Sequence, residues 1–303
     1  MVSWQLQRAV IVRPIGGLGN QLFMLAAAIR YGRSIGCCVH VNTVLVDNFH
    51  DGIGCKGFDL TSVLRYYETT IEISVTSSRV EPWFTRLLGR QLVTNLESQP
   101  TSGLRASVLD GYFQEYEIVN GAEIPRRPDF FVPINPGPEY TRLIRNMIHD
   151  DAVAVHVRRG DYLRSDIGVL DSDYFVSAIR RLREQSRCNG RVYCFTDAPN
   201  EVAEIFRDHC DDWCFVSNRL SAAASLSAMS HASAIVTSNS SFSWWAAWLS
   251  GHENVIIPSV WSRQSCDLLG DSGAEKLLVP GYMTHQSSWE DPLPDAVFKI
   301  VST

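Results

Sequence analysis

The sequence of 303 residues has no apolar run near the ~20 residues that a helix needs to cross a bilayer. Its longest candidate, residues 22–29, is far too short and begins inside a polar motif. The first ten residues, MVSWQLQRAV, also lack the pattern of a signal peptide. We therefore expect a soluble, cytoplasmic protein that makes at most peripheral contact with a membrane.

The sequence also lacks an excess of positive charge. It has 27 Lys and Arg against 33 Asp and Glu, a net charge of -6 and a pI near 5.8. This balance is not that of a general nucleic-acid binder, so we expect no nucleic-acid partner. A polyanionic ligand would have to be bound by a local cluster of cations.

Several catalytic and metal-binding patterns are absent. The eight cysteines form no CxxC pair, and there is neither a GxSxG nor an HExxH string. Asp171 and Asp173 have the DxD spacing of a divalent-cation site, but they precede a predicted helix and are better explained as its N-cap and first-turn charge. We expect no metal cofactor.

Strand and helix patterns alternate along the second half of the chain. Strands are predicted at 151–157, 191–195, 213–216, 234–237 and 255–257, and helices at 172–187, 200–209, 222–230 and 242–249. The first half is looser, with strands at 9–12, 38–42 and 108–112 and a helix at 21–34. Five prolines in 125–138 indicate a linker. The pattern predicts two Rossmann-type α/β domains, 1–130 and 131–303, with a ligand in the cleft between them.

A glycine-rich loop, GGLGNQ at 16–21, lies between a predicted strand and a predicted helix. Glycines there allow close approach of a ligand, and the helix N-terminus attracts anions. Counting from Gly17 and Gly19, a dinucleotide fingerprint requires glycine where Leu22 stands. The loop therefore argues against an NAD-dependent oxidoreductase, and it could also be a simple turn between strand and helix.

A second string, HVRRGDY at 156–162, follows a predicted strand. Alternation along the strand places His156 and Arg158 on one face and Arg159 on the other, so one arginine can reach into the cleft while the other pairs with Asp161 or the surface. A guanidinium matches phosphate oxygens. The alternative is a salt-bridge cluster at the end of a strand.

A third string, SNSSFSWWAAWL at 238–249, places Asn239, Ser240 and Ser241 where a strand ends and a helix begins. These residues are natural helix caps and equally natural phosphate ligands, whereas the three tryptophans are expected to pack in the core. Asp197 closes another strand, where it could accept hydrogen bonds from a base or a ribose.

These strings, together with LDGYFQ at 109–114 and MSHASAIV before the tryptophans, resemble family 11 of the glycosyltransferases, the α-1,2-fucosyltransferases. The resemblance implies a GT-B-like pair of Rossmann domains and a metal-independent, inverting transfer of L-fucose from GDP-β-L-fucose. The acceptor would be an oligosaccharide or glycolipid, with the 2-OH of a galactoside as the expected position and O-antigen as a setting. The N-terminal domain would lie on the acceptor side, and the C-terminal domain would bind the donor.

The resemblance also implies roles for particular residues. Arg158 would hold the pyrophosphate as a catalytic residue. Apart from the resemblance, a general base would help to deprotonate the acceptor hydroxyl; Asp161 is a candidate, with Glu115 as a weaker one, and an SN1-like path with only weak base assistance is an alternative. The remaining substrate-binding candidates are Gly17, Gly19, Asn20, Gln21, Asp110, Gln114, His156, Arg159, Asp197, Asn239, Ser240, Ser241 and Phe242. Of these, His156 and Asp197 would lie near the guanosine, and the LDGYFQ string with residues 47–105 is expected to set acceptor specificity. Transfer with α-1,3 or α-1,6 linkage, use of another GDP-sugar, or binding of a sugar nucleotide without catalysis remain alternatives.

Overall fold

A computed structural model describes residues 9–44, 72–76, 90–98, 106–131, 133, 136–186, 188–209, 213–217, 219–263 and 273–291. The chain divides into two compact units, Met1–Ile134 and Asn135–Thr303. The division falls inside the proline-rich stretch, and each unit contains one parallel sheet. In the described part of the chain, no helix combines the length and apolar character needed to cross a membrane.

The first unit is a five-stranded sheet with the strand order β3-β2-β1-β5-β4. Its elements are β1 (Ala9–Val12), α1 (Leu18–Ser34), β2 (Cys38–Asn42), β3 (Ile73–Thr76), β4 (Arg90–Val93), β5 (Ala106–Leu109) and α2 (Tyr116–Gly121). All four residues of β1 are buried, which suits a central strand covered on both faces. The order reverses between β1 and β5, so the loops that follow these two strands lie side by side.

The second unit is a six-stranded sheet with the order β11-β10-β9-β6-β7-β8. Its strands are β6 (Val153–Val157), β7 (Val192–Thr196), β8 (Trp213–Phe215), β9 (Ala234–Val236), β10 (Val255–Pro258) and β11 (Met283–His285). Its helices are α3 (Gly137–His149), α4 (Ser172–Ser186), α5 (Pro199–Ile205), α6 (Ala222–Ser230) and α7 (Ser241–Ser250). Three strands extend the sheet in each direction from the β6–β9 junction, which is the doubly wound Rossmann order.

The prediction of two α/β units with parallel sheets is confirmed. The predicted strand at 108–112 is shifted, because β5 ends at Leu109 and the chain then turns at Gly111, where φ is +139°. Helix α3 begins inside the predicted linker, with Pro138 in its first turn, where a missing backbone N–H costs nothing.

The tryptophans of α7 pack in the core, as expected from their spacing. Trp244, Trp245 and Trp248 are each at most 2% exposed, and the rings of Trp244 and Trp248 stack with centroids 5.7 Å apart. The indole of Trp244 donates to the carbonyl of Leu277 at 2.7 Å. Because α7 is anchored this firmly, its N-terminus holds a fixed position beside the end of β9.

Candidate active site

The polar strings of the second unit meet where the strand order reverses. The central strand β6 pairs with β9 on one side and with β7 on the other, with Val155 opposite Val236 and His156 opposite Phe195. Residues 156–162, 197 and 238–242 therefore lie at the carboxyl edge of three adjacent strands. This edge, at the switch point, is where open α/β sheets bind ligands.

His156 is held in the floor of this edge. The residue is 6% exposed, Nδ1 of its ring lies 2.8 Å from the hydroxyl of Ser238, and the ring centroid is 5.3 Å from that of Phe242. Burial, with a smaller effect from the charge of Arg158, lowers the pKa of His156 to about 3. The imidazole is therefore neutral at physiological pH and acts as a hydrogen-bonding group.

The guanidinium of Arg158 lies between two carboxylates. One terminal nitrogen is 2.5 Å from Oδ1 of Asp161, and the other is 3.0 Å from Oδ2 of Asp197. The ring of Tyr162 lies below it, with the guanidinium carbon 5.4 Å from the centroid. A guanidinium has five N–H donors. Since these two contacts use two of them, three remain for a ligand.

Asp161 thus pairs with Arg158, the arginine predicted to reach the ligand. The expectation was that Arg159, the other arginine, would pair with Asp161 or lie at the surface. Tyr162 completes the cluster. Burial raises the pKa of its phenol, which stays protonated and donates to the carbonyl of Asn239 at 3.4 Å.

Arg159 lies within the unit and not along the open edge. Its side chain is 11% exposed and pairs with the carboxylates of Glu201 and Glu290. Its backbone N–H donates to Oδ1 of Asp197 at 3.0 Å. The two oxygens of Asp197 therefore fix the main chain of one arginine and the side chain of the other.

Gly160 is required by this arrangement. A Cβ atom added at this position would lie 2.3 Å from Oδ2 of Asp197, which is too close for any side chain. The glycine of the RRGD string thus provides space for the carboxylate. Sequence reasoning did not assign a role to Gly160 or to Ser238; the glycine directly after the two arginines was the available signal.

The N-terminus of α7 forms the opposite side of the site. Ser240 caps the helix by accepting from the N–H of Phe242, as predicted for this string. Asn239 is 1% exposed and donates to the carbonyl of Gly168 at 3.1 Å, while its Oδ1 has no partner among the described residues. Ser241 is half-buried at the first position of the helix, where the helix dipole favours anions.

The glycine-rich loop lies at the corresponding edge of the first unit. Gly16 has φ +74°, and Gly17, the N-cap of α1, has open space within 4 Å of the position of a Cβ atom. Gln21 is fully buried and donates to the carbonyl of Gly16 at 2.8 Å, while its Oε1 has no described partner. Leu22, the residue that breaks the dinucleotide fingerprint, is packed in the core at 2% exposed.

The structure joins this loop to the LDGYFQ string. The amide of Gln114 donates to Oδ1 of Asn20 at 2.8 Å. Asp110 is exposed and Gly19 is buried. Phe113 has φ +53°, a strained conformation for a bulky residue, and such strain is concentrated at functional sites.

The predicted residues thus fall into two groups, one in each unit. His156, Arg158, Asp161, Asp197 and residues 239–242 converge in the second unit, and Gly17, Gly19, Asn20, Gln21, Asp110 and Gln114 in the first. In the second unit, a cation held by two carboxylates, a neutral imidazole and a helix N-terminus suit a nucleoside diphosphate.

Among the described residues, no cluster of three His, Cys, Asp or Glu side chains is arranged to hold a metal ion. Asp171, from the DxD string, accepts from the N–H of Tyr174 at 2.9 Å as the N-cap of α4.

Two α/β units with parallel sheets, the second with its polar residues at the switch point, define a GT-B fold. The crystal structure of POFUT1 in complex with GDP-fucose has this fold as well, with a TM-score of 0.52 and 12% identity, covering 82% of this chain and 96% of that one. Residues 141–266 match the family model described as "Glycosyl transferase family 11". The chain therefore carries a family 11-like domain that includes the whole site of the second unit.

Two Escherichia coli proteins are similar along most of their length. An alpha-1,2-colitosyltransferase is 28% identical over 282 residues, covering 83% of this chain and 92% of the relative. An O-antigen biosynthesis glycosyltransferase, WbnK, is 24% identical over 281 residues, covering 80% of this chain and 91% of the relative. Together with the family match, these similarities support glycosyltransferase activity.

Proposed function

We propose that the protein is an inverting, metal-independent fucosyltransferase that uses GDP-β-L-fucose and a glycan acceptor, with the 2-OH of a galactoside as its target. The observation that carries the proposal is the Arg158 guanidinium, fixed at the switch point by Asp161 and Asp197 and facing the same edge as the N-terminus of α7. The named relatives, which transfer a deoxysugar in one case and build O-antigen in the other, support the same class of substrates.

In this proposal Arg158 binds the pyrophosphate through the three donors that its carboxylate partners leave unused. As the bond between fucose and the β-phosphate breaks, charge accumulates on GDP, and a preoriented guanidinium stabilises it at no cost of reorganisation. The N-terminus of α7 adds partial positive charge. One such group can contribute ~3 kcal/mol, or on the order of 100-fold in rate.

The other residues of the edge take binding roles. The neutral His156 and the carboxylate of Asp197 face the guanosine. Oδ1 of Asp197 accepts a hydrogen bond from the N–H of Arg159 and Oδ2 forms an ion pair with Arg158, and each oxygen has capacity for a further hydrogen bond. Oδ1 of Asn239, which has no partner among the described residues, accepts a hydrogen bond from a hydroxyl of GDP-fucose. Gly17, Gly19, Asn20 and Gln21 contact substrate from the first unit, and Asp110 and Gln114 contribute to acceptor recognition.

Asp161 is the proposed general base that takes the proton of the acceptor hydroxyl. Its Oδ1 pairs with Arg158, so Oδ2 is the oxygen that would accept the proton. Asp161→Asn should lower kcat and flatten the acid limb of the pH–rate profile. An unchanged rate and profile would exclude Asp161 from this role and direct attention to Glu115.

The decisive experiment measures GDP release from GDP-fucose with lactose or N-acetyllactosamine and EDTA present. Arg158→Ala should lower turnover by on the order of 100-fold, and Arg158→Lys should recover little of it because an ammonium cannot reproduce the fork of donors. Arg164→Ala is the matched control, since Arg164 is an exposed arginine at the end of the same turn, Gly160–Arg164. Wild-type protein that neither releases nor binds GDP would overturn the donor assignment.

A colitosyl donor is the second candidate, favoured by the name of the 28% identical relative. Colitose is fucose without its 3-hydroxyl, so the two donors differ by one hydrogen-bonding group. A site that binds this hydroxyl rejects the deoxy donor by about 10⁴-fold, whereas a site that does not bind it accepts both. The ratio of kcat/KM for the two GDP-sugars separates the candidates, and NMR of the product distinguishes α-1,2 from α-1,3 or α-1,6 linkage.

A further inference from the structure

A short segment after β11 lies along a loop next to the candidate site. We call residues 287–290 the strap. The N–H of Asp171 donates to the carbonyl of Ser288 at 3.1 Å, the N–H of Glu290 donates to the carbonyl of Val169 at 2.9 Å, and Leu170 and Trp289 form an antiparallel bridge. The strap is thus fixed by main-chain hydrogen bonds to the loop that precedes α4.

These contacts determine where the carboxylate of Glu290 lies. The carbonyl of Glu290 accepts from the guanidinium of Arg263 at 3.1 Å, and the N–H of Arg263 in turn donates to the carbonyl of Ile167 at 2.9 Å. With both main-chain polar groups engaged, the side chain of Glu290 is presented to Arg159, with which it forms an ion pair.

Glu290 is the stronger of the two partners of Arg159. Its side chain is 25% exposed, whereas that of Glu201, the other partner, is 60% exposed. Ion pairs in solvent contribute little, while removing the partner of a buried charge is costly because the charge remains without compensation. The side chain of Arg159 is 11% exposed, and its guanidinium therefore depends mainly on Glu290 for its position.

The position of Arg159 reaches the reacting groups through Asp197. The N–H of Arg159 holds Oδ1 of Asp197 at 3.0 Å, and Oδ2 of the same carboxylate holds the guanidinium of Arg158 at 3.0 Å. A displacement of Arg159 would move the main chain directly after Arg158 and one of the two carboxylates that orient its side chain.

We propose that Glu290 is a positioning residue of the transferase site, which fixes Arg159 and, through Asp197, sets the guanidinium of Arg158 for the pyrophosphate. This assignment rests on the proposed function of Arg158. Through Glu290, the strap becomes part of the donor-binding machinery.

The test compares Glu290→Gln with Glu201→Gln, two substitutions that each remove one negative charge from Arg159. Calorimetric titration with GDP and with guanosine is the readout. We expect Glu290→Gln to weaken GDP binding by about tenfold, as when a group that orients a ligand-binding side chain is removed. Guanosine binding should weaken by less, because Asp197 also faces the guanosine but Arg158 meets only the diphosphate. Glu201→Gln should change neither by more than about twofold.

A merely structural role would give a different result. Equal losses for GDP and guanosine, accompanied by a lower melting temperature, would overturn the proposal, as would an unchanged affinity for GDP. If Glu290→Gln does not fold, Glu290→Asp carries the test, because it keeps the charge and shortens its reach. The expected loss is then about threefold for GDP and smaller for guanosine. Wild-type protein that binds no GDP would instead overturn the proposed function, and this assignment with it.

Discussion

Burial of His156 makes the stability of the second unit depend on pH. Its pKa in the folded chain is about 3, below the ordinary value of 6.5. Between these two pH values, the imidazole is protonated in the unfolded chain and neutral in the folded chain. Burying the neutral imidazole therefore contributes its full share of the free energy of unfolding above pH 6.5, and this contribution declines as the pH falls toward 3.

For the wild type, this group alone should lower the free energy of unfolding by about 2 kcal/mol between pH 7 and pH 5. His156→Asn removes the titration and keeps a polar partner for Ser238. Urea unfolding at several pH values measures the difference between the two chains. Parallel pH profiles for the two would contradict the burial argument.

Gly160 provides a second test at a single residue. Gly160→Ala should displace Asp197, because the new methyl group would lie 2.3 Å from its Oδ2, and should cost about 1–3 kcal/mol of stability as overpacking does. GDP affinity should fall with it. Gly121→Ala is the control: the nearest atom to its new methyl group is Nε of Arg30, at 3.0 Å, on a flexible side chain that can move. Equal losses of stability and of GDP affinity in the two variants would contradict the role of Gly160 in making space for Asp197.

At the scale of elements, a substitution at the start of α1 should affect substrate binding without lowering the stability of the fold. Gly17 has φ -68°, which any residue can adopt, and a Cβ atom there meets nothing within 4 Å. Gly17→Ala should therefore leave stability unchanged or raise it by up to about 1 kcal/mol. If the loop binds substrate closely, the same methyl group should raise the KM for donor or acceptor. Thermal unfolding and steady-state kinetics on the same sample check both statements; an unchanged KM would remove Gly17 from the site.

Five of the six strands of the second sheet, all but β11, could be predicted from the sequence because they are short and mostly apolar runs between turns. Strand β6 was placed within two residues of its start, and β10 within one residue of its end. Other elements carry no such pattern. Strand β11 reads MTH, β4 reads RQLV, and both exist because neighbouring strands supply their hydrogen bonds. Helix α3 was not predicted because Pro136 at its N-cap and Pro138 in its first turn read as part of a linker.

The residues of the candidate site could be proposed from sequence because strand ends and helix starts concentrate them locally. Their partners could not. Glu201 and Glu290 are 42 and 131 residues from Arg159, and no local pattern indicates that a glutamate beyond the last strand meets the end of β6. Alternation along the strand also did not reveal that Asp161 would pair with Arg158, because the chain leaves the strand at Val157.

At the scale of the molecule, the tryptophans report mainly on the second unit. Six of the eight lie in residues 135–303, namely Trp213, Trp244, Trp245, Trp248, Trp261 and Trp289. If GDP binds there, thermal unfolding followed by tryptophan fluorescence should shift upward with added GDP. The expected gain is about 2.7 kcal/mol at a ligand concentration 100 times Kd. Guanosine, which lacks the diphosphate, should give a smaller shift at equal concentration, and equal shifts would argue against a pyrophosphate site.

The strand order has a consequence for how the chain is made. Central strand β6 pairs with β9, and in this register Val153 lies opposite Ala234, 81 residues later in the chain. At synthesis rates of about 5–20 residues per second, the ribosome delivers β9 roughly 4–16 s after β6. During that interval one edge of β6, an apolar strand of sequence VAVHV, has no partner. A strand whose five residues are all buried in the finished unit is thus open to aggregation in the nascent chain, and chaperone capture in this interval would protect it.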